Sequence, residues 1–325
     1  MKVSIGVLTQ RLATGCVAGV VLALTADAVM AQNYPSKSVR LIVPASPGGG
    51  LDIMARAVGQ DLSVLWGQSV VVDNRPGAGI MIGTDTVAKA TPDGYTLLMA
   101  NSNLAPNLIL QNKLAVGKQL TGVAKIANLP TALAVSLKLP VKSVKDLVAL
   151  AKTSKLAYST AGIGTTSNIA GEMLKLAAKV DITHVPYKGG NPAMTAIVTG
   201  QVSMGFSSLA SVRVHEQAGR VRLLAIASAK RSQLAPDVPT LNETVPGVVM
   251  ETWVGLFAPA GVPQPVLRKI NADLLKVLAL PETAQRLTNR GYDLQPSTPE
   301  VMNKLIQSDI ATFSRVIREA NIRIN

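Results

Sequence analysis

The chain is 325 residues long, and its 48% hydrophobic and 16% charged residues are typical of a packed globular protein with room for two lobes. Its aromatic content of 3% disfavours single-stranded nucleic-acid binding, which uses aromatic rings as stacking platforms. The net charge of +13 favours anionic ligands, and because the basic residues are scattered rather than grouped in a block, we expect no nucleic-acid partner.

Residues 1–31 have the layout of a cleaved secretory signal peptide. A basic start precedes the uncharged run Leu12–Ala26, and small residues fit cleavage after Ala28 or after Ala31, of which we favour Ala31. The run is shorter than the roughly 20 residues that span a bilayer, which argues against a membrane anchor. Cys16 lies inside the run rather than after it, which argues against a lipoprotein. We therefore expect a soluble, periplasmic monomer that begins near Gln32.

The sequence offers little material for catalysis or metal binding. Cys16 is the only cysteine, so the mature chain has no disulfide, thiolate nucleophile or cysteine metal ligand. Only His184 and His215 could serve a histidine-dependent triad or a zinc site, and no G-x-S-x-G elbow occurs. We predict no catalytic activity, no cofactor and no metal.

Short apolar runs alternate with amphipathic stretches along the mature chain, as in an α/β fold. The runs predicted as strands are Val39–Val43, Val70–Val72, Thr96–Ala100, Ala132–Val135, Leu156–Ser159, Ile182–Pro186, Val202–Phe206 and Leu223–Ala227. Helices are predicted over residues 52–65, Val266–Ala279 and Val301–Glu319. Capping patterns predict helix starts at Ser143, at Asn191-Pro192 and, for the last of these helices, at Thr298-Pro299.

The first candidate ligand loop, residues 44–52, follows the first strand and contains three consecutive glycines. The glycines allow close approach of the backbone to a ligand, and the start of the next helix favours a bound anion by about 0.3–1 kcal/mol. The loop has neither G-x-G-x-x-G spacing nor the Lys-Ser/Thr pair of a P-loop. A plain tight turn would use the same glycines.

The second candidate loop, residues 159–168, also lies between a strand and a helix. Five hydroxyl groups and an amide surround two glycines there, and such neutral donors suit a carboxylate that is held and then released. A solvated turn in which Ser167 or Asn168 caps the helix would share this composition. Ligands of open α/β sheets bind beyond the carboxyl ends of strands, so the two loops predict a cleft closed from both sides.

A further signal lies in short segments that follow one another in a fixed order. They are Tyr34–Lys37, Val43–Pro44, Gly48–Gly50 with Asp52, Val72–Gly79, Pro92–Leu97, His184–Gly189, Pro239–Thr240 and Gly255–Gly261. From about Tyr34 to its C-terminus, the chain resembles the Bug receptors of tripartite tricarboxylate transporters.

This resemblance implies the α/β, two-lobed periplasmic-binding-protein type II fold, also called a Venus flytrap, in which each lobe is a βα sheet flanked by helices. Lobe 1 is expected to comprise residues 32–131 with 252–325, and lobe 2 residues 132–251. The resemblance also implies a function. The chain would capture a small organic carboxylate in the periplasm and deliver it to the membrane subunits of a tripartite transporter.

In the family, two loops hold one carboxylate through backbone N–H groups, hydroxyl groups and bridging waters. The ligand-binding residues that the resemblance implies here are Ala45, Ser46, Pro47, Gly48, Gly49 and Asp52 in the first loop, Gly164, Thr165, Thr166, Ser167 and Asn168 in the second, and Asn101, Ser102, Tyr187 and Ser207 at the ends of neighbouring strands.

Three of these positions depart from the family pattern. Asn168 stands where the family usually has histidine, Ala45 where an aromatic residue is frequent, and Ser207 where an acidic residue is common. The missing acid removes a partner for an amino group on the ligand. These departures bear on which carboxylate is bound rather than on the fold.

Other functions share parts of this pattern. A ligand-loaded receptor for a periplasmic sensor kinase would have the same binding features. An exported hydrolase or isomerase would have to use Ser, Asp or Lys chemistry alone. A LysR-type regulatory domain shares the flytrap architecture, but the signal peptide and the missing helix-turn-helix exclude it.

Overall fold

The computed structural model describes residues 34–323. The expected signal peptide and its cleavage site at Ala31 lie outside the described residues. Within residues 34–323, no helix combines the length and the apolar character needed to cross a membrane.

The first of two sheets contains six strands, which are β1 (Val39–Val43), β2 (Val70–Asn74), β3 (Thr96–Asn101), β4 (Leu120–Asn128), β10 (Trp253–Pro259) and β11 (Asp293–Leu294). Their order is β11-β4-β10-β3-β1-β2. Strand β1 runs parallel to β2 and β3, whereas β10 runs antiparallel to β3 and β4. A strand that returns late along the chain, β10, therefore lies in the middle of this sheet.

The second sheet contains five strands, which are β5 (Thr131–Ser136), β6 (Leu156–Thr160), β7 (Ile182–Pro186), β8 (Met204–Ser208) and β9 (Val221–Ile226). Their order is β7-β6-β8-β5-β9. Strand β6 is parallel to β7 and β8, and β5 is antiparallel to β8 and β9. We call each sheet with its helices a lobe, the first and the second.

Helices flank both sheets. Those between strands of the first sheet are α1 (Gly50–Trp66), α2 (Met81–Ala88), α3 (Leu104–Leu110), α4 (Leu114–Gly117), α10 (Gln264–Leu278) and α11 (Pro281–Thr288). Those of the second lobe are α5 (Val144–Ala151), α6 (Thr166–Ala178), α7 (Gly190–Thr199), α8 (Leu209–Gln217) and α9 (Leu241–Thr244). The last helix, α12 (Pro299–Glu319), contacts both lobes.

The chain passes between the sheets twice, after β4 and again before β10. The two crossings are hydrogen-bonded to each other, because the Leu129 N–H donates to the Thr252 carbonyl at 2.6 Å. The hydroxyl oxygens of Thr131 and Thr252 lie 2.7 Å apart. Lobe boundaries at these crossings stay a prediction.

Separate apolar clusters underlie the two sheets, and α12 joins them. Met302, near the start of α12, is fully buried in a cluster with Trp253 of β10. Phe313 and Val316, farther along the same helix, are buried in the cluster of the second sheet. One amphipathic helix therefore contributes side chains to the cores of both lobes.

The capping predictions are confirmed at two of three helices. The Ser143 hydroxyl accepts a bond from the Asp146 N–H, and the Thr298 hydroxyl accepts one from the Val301 N–H. The third prediction is wrong, because α7 begins at Gly190 and Asn191 is its second residue. The preceding Gly189 has a φ of 109°, which only glycine adopts readily, and this lets the helix begin earlier.

All eight predicted strands are present, with their ends shifted by a few residues. The largest shifts are two residues: β2 ends at Asn74 instead of Val72, β8 spans Met204–Ser208 instead of Val202–Phe206, and β9 begins at Val221 instead of Leu223. The sequence pattern did not identify β4, β10 or β11. Strand β10 is buried along its whole length, so it lacks the alternation that marks a half-exposed strand.

Candidate ligand-binding site

A pocket of about 260 Å³ lies between the two lobes. Most of the residues that line it carry a hydroxyl or amide group, and none of the lining residues that the structure describes is charged. They are Asn103, Leu129, Thr131, Ala161, Thr165, Thr166, Ser167, Gly190, Phe206, Ser207, Ser208 and Thr252. The pocket is therefore polar without being ionic.

Three helices of the second lobe begin at this pocket. Thr166 is the first residue of α6, Gly190 is the first residue of α7, and Ser208 is the residue immediately before α8. Backbone N–H groups at a helix start have no partner within the helix, and the helix dipole adds partial positive charge there. The pocket thus favours an anion although none of its described lining residues has a cationic side chain.

The hydroxyl groups of the second loop tie that loop into one shape. The Thr165 hydroxyl donates to the Gly162 carbonyl at 2.7 Å and lies 2.9 Å from the Ser167 hydroxyl. The Ser167 hydroxyl accepts a bond from the Ala161 N–H at 3.2 Å. These bonds fix the loop at the start of α6, where Thr165, Thr166 and Ser167 line the pocket.

Asn168 supports the loop from behind. Its side-chain oxygen accepts a bond from the Gly164 N–H at 3.1 Å, and its side-chain nitrogen donates to the Tyr158 hydroxyl at 3.1 Å. The Tyr158 hydroxyl in turn donates to Glu172 at 2.6 Å. Burial, followed by the neighbouring Glu172, raises the pKa of Tyr158, so it remains a donor. Asn168 is 1% exposed, and both ends of its amide are occupied within its own lobe.

His184 packs on this network. Its ring stacks on Tyr158 with centroids 4.9 Å apart, and its Nε2 lies 2.7 Å from the Thr160 hydroxyl. Burial lowers the pKa of His184, so the ring stays neutral near pH 7. His184 therefore supports the second loop rather than presenting a charge to a ligand.

Asp52 organises the first loop. Its carboxylate accepts bonds from the Gly48 N–H at 2.9 Å, the Arg56 side chain at 2.9 Å and the Asn74 side chain at 3.0 Å. Burial alone would raise the pKa of Asp52, but these three hydrogen bonds hold it below its usual value. The Asn74 side chain also donates to the Ala45 carbonyl at 3.0 Å. Asp52 is 2% exposed and fixes the loop rather than facing solvent.

We expect Asp52→Ala to lower the free energy of unfolding by about 1–3 kcal/mol, because it removes a buried carboxylate that accepts three hydrogen bonds. Urea denaturation at pH 7 measures this. Since the folded-state pKa is lowered, the difference should shrink as the pH falls below about 4. Glu216→Ala, which removes a surface ion pair with Arg213, should cost less than about 1 kcal/mol. If both variants lose the same stability, Asp52 does not organise the first loop.

The other first-loop residues lie apart from the pocket. Ser46, Pro47, Gly48 and Gly49 are exposed, Ala45 is half-buried, and none of these described residues lines the pocket. The loop nevertheless lies near the second lobe. The Tyr292 hydroxyl donates to the Gly50 carbonyl at 2.6 Å, and a Cβ at the preceding Gly291 would lie 2.6 Å from the Ala210 Cβ.

The predicted residues at strand ends are divided. Ser207 lines the pocket, while Asn101 accepts a bond from the Asn103 N–H at 3.1 Å. Ser102 is fully buried, and its hydroxyl has no hydrogen-bond partner among the described residues. Tyr187 is half-buried against another apolar cluster of the second lobe, separate from the one that contains Phe313. In the second loop, Thr165, Thr166 and Ser167 line the pocket.

The sequence pattern missed the pocket residues of the first lobe and the crossings. Asn103 is the most direct of these, because its side-chain oxygen accepts a bond from the Thr166 N–H of the other lobe at 3.1 Å. Thr131 and Thr252 were missed because the crossings have no sequence signature. A polar triplet, Asn101 to Asn103, marked the strand end, but only the register shows which side chain reaches the pocket.

Known proteins identify the class. The sequence model of one protein family, TctC (tripartite tricarboxylate transporter family receptor), matches residues 54–322 of this chain. The solved structure of a Rhodopseudomonas palustris protein, Rpa4515 with adipate, is 31% identical, covers 89% of this chain and 99% of its own, and superposes with a TM-score of 0.77. The solved structure of MatC from the same organism, with bound malate, is also 31% identical. It covers 87% of this chain and 100% of its own, and it superposes with a TM-score of 0.72.

A sequence relative agrees with these structures. BugT of Bordetella pertussis is 32% identical over 303 residues, which are 91% of this chain and 93% of BugT. The fold is therefore that of a solute-binding receptor. The chain belongs to the TctC family of tripartite tricarboxylate transporter receptors. The resemblance to Bug receptors and the two-lobed fold are confirmed, and so is the expectation of a receptor rather than an enzyme.

Proposed function

We propose that this chain captures a small carboxylate in the periplasm and delivers it, as a monomer, to the membrane subunits of a tripartite transporter. The observation that carries the proposal is the convergence of three helix starts on an uncharged polar pocket. Such a pocket binds an anion through backbone N–H groups. The adipate and malate bound by two structural relatives support the same ligand class.

The proposed contacts come from both lobes. Thr165, Thr166 and Ser167 offer hydroxyl and N–H donors to one carboxylate, and Ser207 faces the rest of the ligand. The first loop, residues 45–49, closes the cleft at its edge. Micromolar affinity requires about −8 kcal/mol, and one charge-assisted hydrogen bond contributes about 1.5–3 kcal/mol, so several bonds must converge.

A thermal-shift screen of the mature chain tests this function. The panel should include mono-, di- and tricarboxylates, together with sugars of similar size as controls. A ligand present at a hundred times its dissociation constant stabilises the folded state by about 2.7 kcal/mol. We expect a shift with at least one carboxylate and none with the sugars. Transport assays in cells that lack the chain then test delivery, and a sugar-specific response would refute the proposal.

The uncharged lining predicts a ligand without an ammonium group. Malate and aspartate differ at one carbon, where one carries a hydroxyl group and the other an ammonium group. Because the described lining residues include no carboxylate, we expect calorimetry to show tighter binding of malate than of aspartate. Ser207→Asp should favour aspartate by about ten- to a hundredfold relative to the parent, since hydrogen bonds to charged groups contribute about 1.5–3 kcal/mol.

Ser207→Asn is the matched control, because it has the shape of Ser207→Asp without the charge. It should not increase affinity for aspartate. If both variants change the preference equally, or if the parent prefers aspartate, Ser207 does not select the ligand by charge.

A further inference from the structure

One hydrogen bond across the cleft joins the first lobe to the start of α6. The Asn103 side-chain oxygen accepts it from the Thr166 backbone N–H, at 3.1 Å. Asn103 lies between β3 and α3 in the first lobe, whereas Thr166 is the first residue of α6 in the second. Because hydrogen bonds weaken steeply with distance, this bond forms only when the lobes are close together.

Helix α6 receives this cap from the other lobe instead of its own. Within the described part of the chain, the Thr165 side chain at the N-cap position accepts no capping bond from a backbone N–H of α6. It donates to the Gly162 carbonyl instead, at 2.7 Å. Asn103 occupies the N-cap position of α3, where asparagine ordinarily caps its own helix. Its side chain makes no capping bond to α3 in the described structure.

We infer that the Asn103 side chain competes with the ligand for the Thr166 backbone N–H. Its amide oxygen takes the Thr166 N–H that a carboxylate oxygen takes on binding, and the bond holds the ligand-free receptor partly closed. This inference rests on the proposed carboxylate site. Hydrogen bonds to a charged acceptor are roughly twice as strong as neutral ones, so the carboxylate displaces the amide.

Asn103 therefore affects affinity in two opposite ways. Displacing its oxygen weakens ligand binding, while the closed arrangement that it favours reduces the cost of bringing the lobes together. The two effects separate experimentally, because lobe closure is measurable without ligand. A very small carboxylate, which does not bridge the lobes, reports the competition alone.

The ligand-free experiment measures lobe separation. The described residues contain no cysteine, so spin labels at the exposed Lys89 and Lys155, each replaced by cysteine, report one distance between the lobes. We expect Asn103→Ala to shift that distance distribution to larger values. Exchange of the Thr166 amide proton should become about two- to tenfold faster, as expected for the loss of one neutral hydrogen bond.

Gln119→Ala is the control, since it truncates an exposed amide of the first lobe and should change neither quantity. If Asn103→Ala gives the parent's distances and the parent's exchange rate, Asn103 does not hold the lobes together.

The competition is tested with acetate, followed through the NMR shift of the Thr166 amide. We expect acetate to bind about two- to tenfold more tightly to Asn103→Ala than to the parent. Asn103→Asp, which tethers a carboxylate at the same position, should exclude acetate. Equal acetate affinity in the parent and Asn103→Ala refutes competition and leaves the carboxylate site standing. If neither acetate nor malate shifts the Thr166 amide in any variant, the proposed site itself fails, and competition fails with it.

Discussion

Gly164→Val should weaken carboxylate binding by about ten- to a hundredfold. Gly164 lies in the second loop, and a Cβ there would lie 2.5 Å from Leu110 Cδ1 in the first lobe. Overpacking a closed contact costs about 1–3 kcal/mol, and about 1.4 kcal/mol corresponds to a tenfold change in affinity. The valine should therefore oppose lobe closure. Calorimetry with the carboxylate found by screening measures the loss.

Gly164 also has a φ of 73°, so the substitution strains the backbone as well. Gly67→Val controls for this strain, because Gly67 has a φ of 62° and a Cβ added there would meet nothing within 4 Å. The control should lose stability but keep its affinity. If Gly164→Val binds like the parent, the lobes do not need to approach each other at Leu110.

Asp309→Asn should stabilise the protein at pH 8 but not at pH 4. Asp309 lies on α12, and its carboxylate accepts a bond from the Trp253 indole N–H at 2.7 Å. Burial, with a smaller contribution from nearby Glu251, raises the pKa of Asp309 to about 7 although the Trp253 bond acts to lower it. The unfolded chain ionises this group near pH 4. The folded protein therefore loses stability as the pH rises from about 4 to 7.

The loss through this group is up to about 4 kcal/mol. Asparagine keeps an acceptor for Trp253 and never ionises, so the variant should gain that amount at pH 8 and match the parent at pH 4. Urea denaturation across this range measures the difference. Glu319→Gln, an exposed carboxylate on the same helix, should show no such dependence. If the difference in unfolding free energy between Asp309→Asn and the parent is the same at every pH, the pKa of Asp309 is not raised in the folded protein.

Local features of the fold could be predicted from the sequence because they depend on neighbouring residues. The first strand, its glycine loop and the Ser143 and Thr298 caps are encoded within a few positions. The central strands β4 and β10 were missed because their pairing joins segments more than a hundred residues apart. Gly122 and Gly255 also interrupt them, and glycine is depleted in strands. Met302 packs against both glycines.

The candidate site shows the same division. The second loop was predicted because its hydroxyl groups and glycines are contiguous in sequence. Asn168 could not be placed from sequence alone, since its role depends on the Tyr158 hydroxyl across the lobe's core. Asn103 was missed because its partner, Thr166, belongs to the other lobe. Contacts between lobes depend on tertiary geometry, which local composition does not encode.

The placement of α12 has a consequence for the order of folding. Phe313 and Val316 complete the core of the second lobe, yet the strands of that lobe end at Ile226. During synthesis, those strands therefore emerge long before the side chains that seal them. Contacts this distant in sequence form slowly, because a long loop must close first. A chain cut short before Phe313 should expose apolar surface and be recognised by chaperones, even though every strand is present.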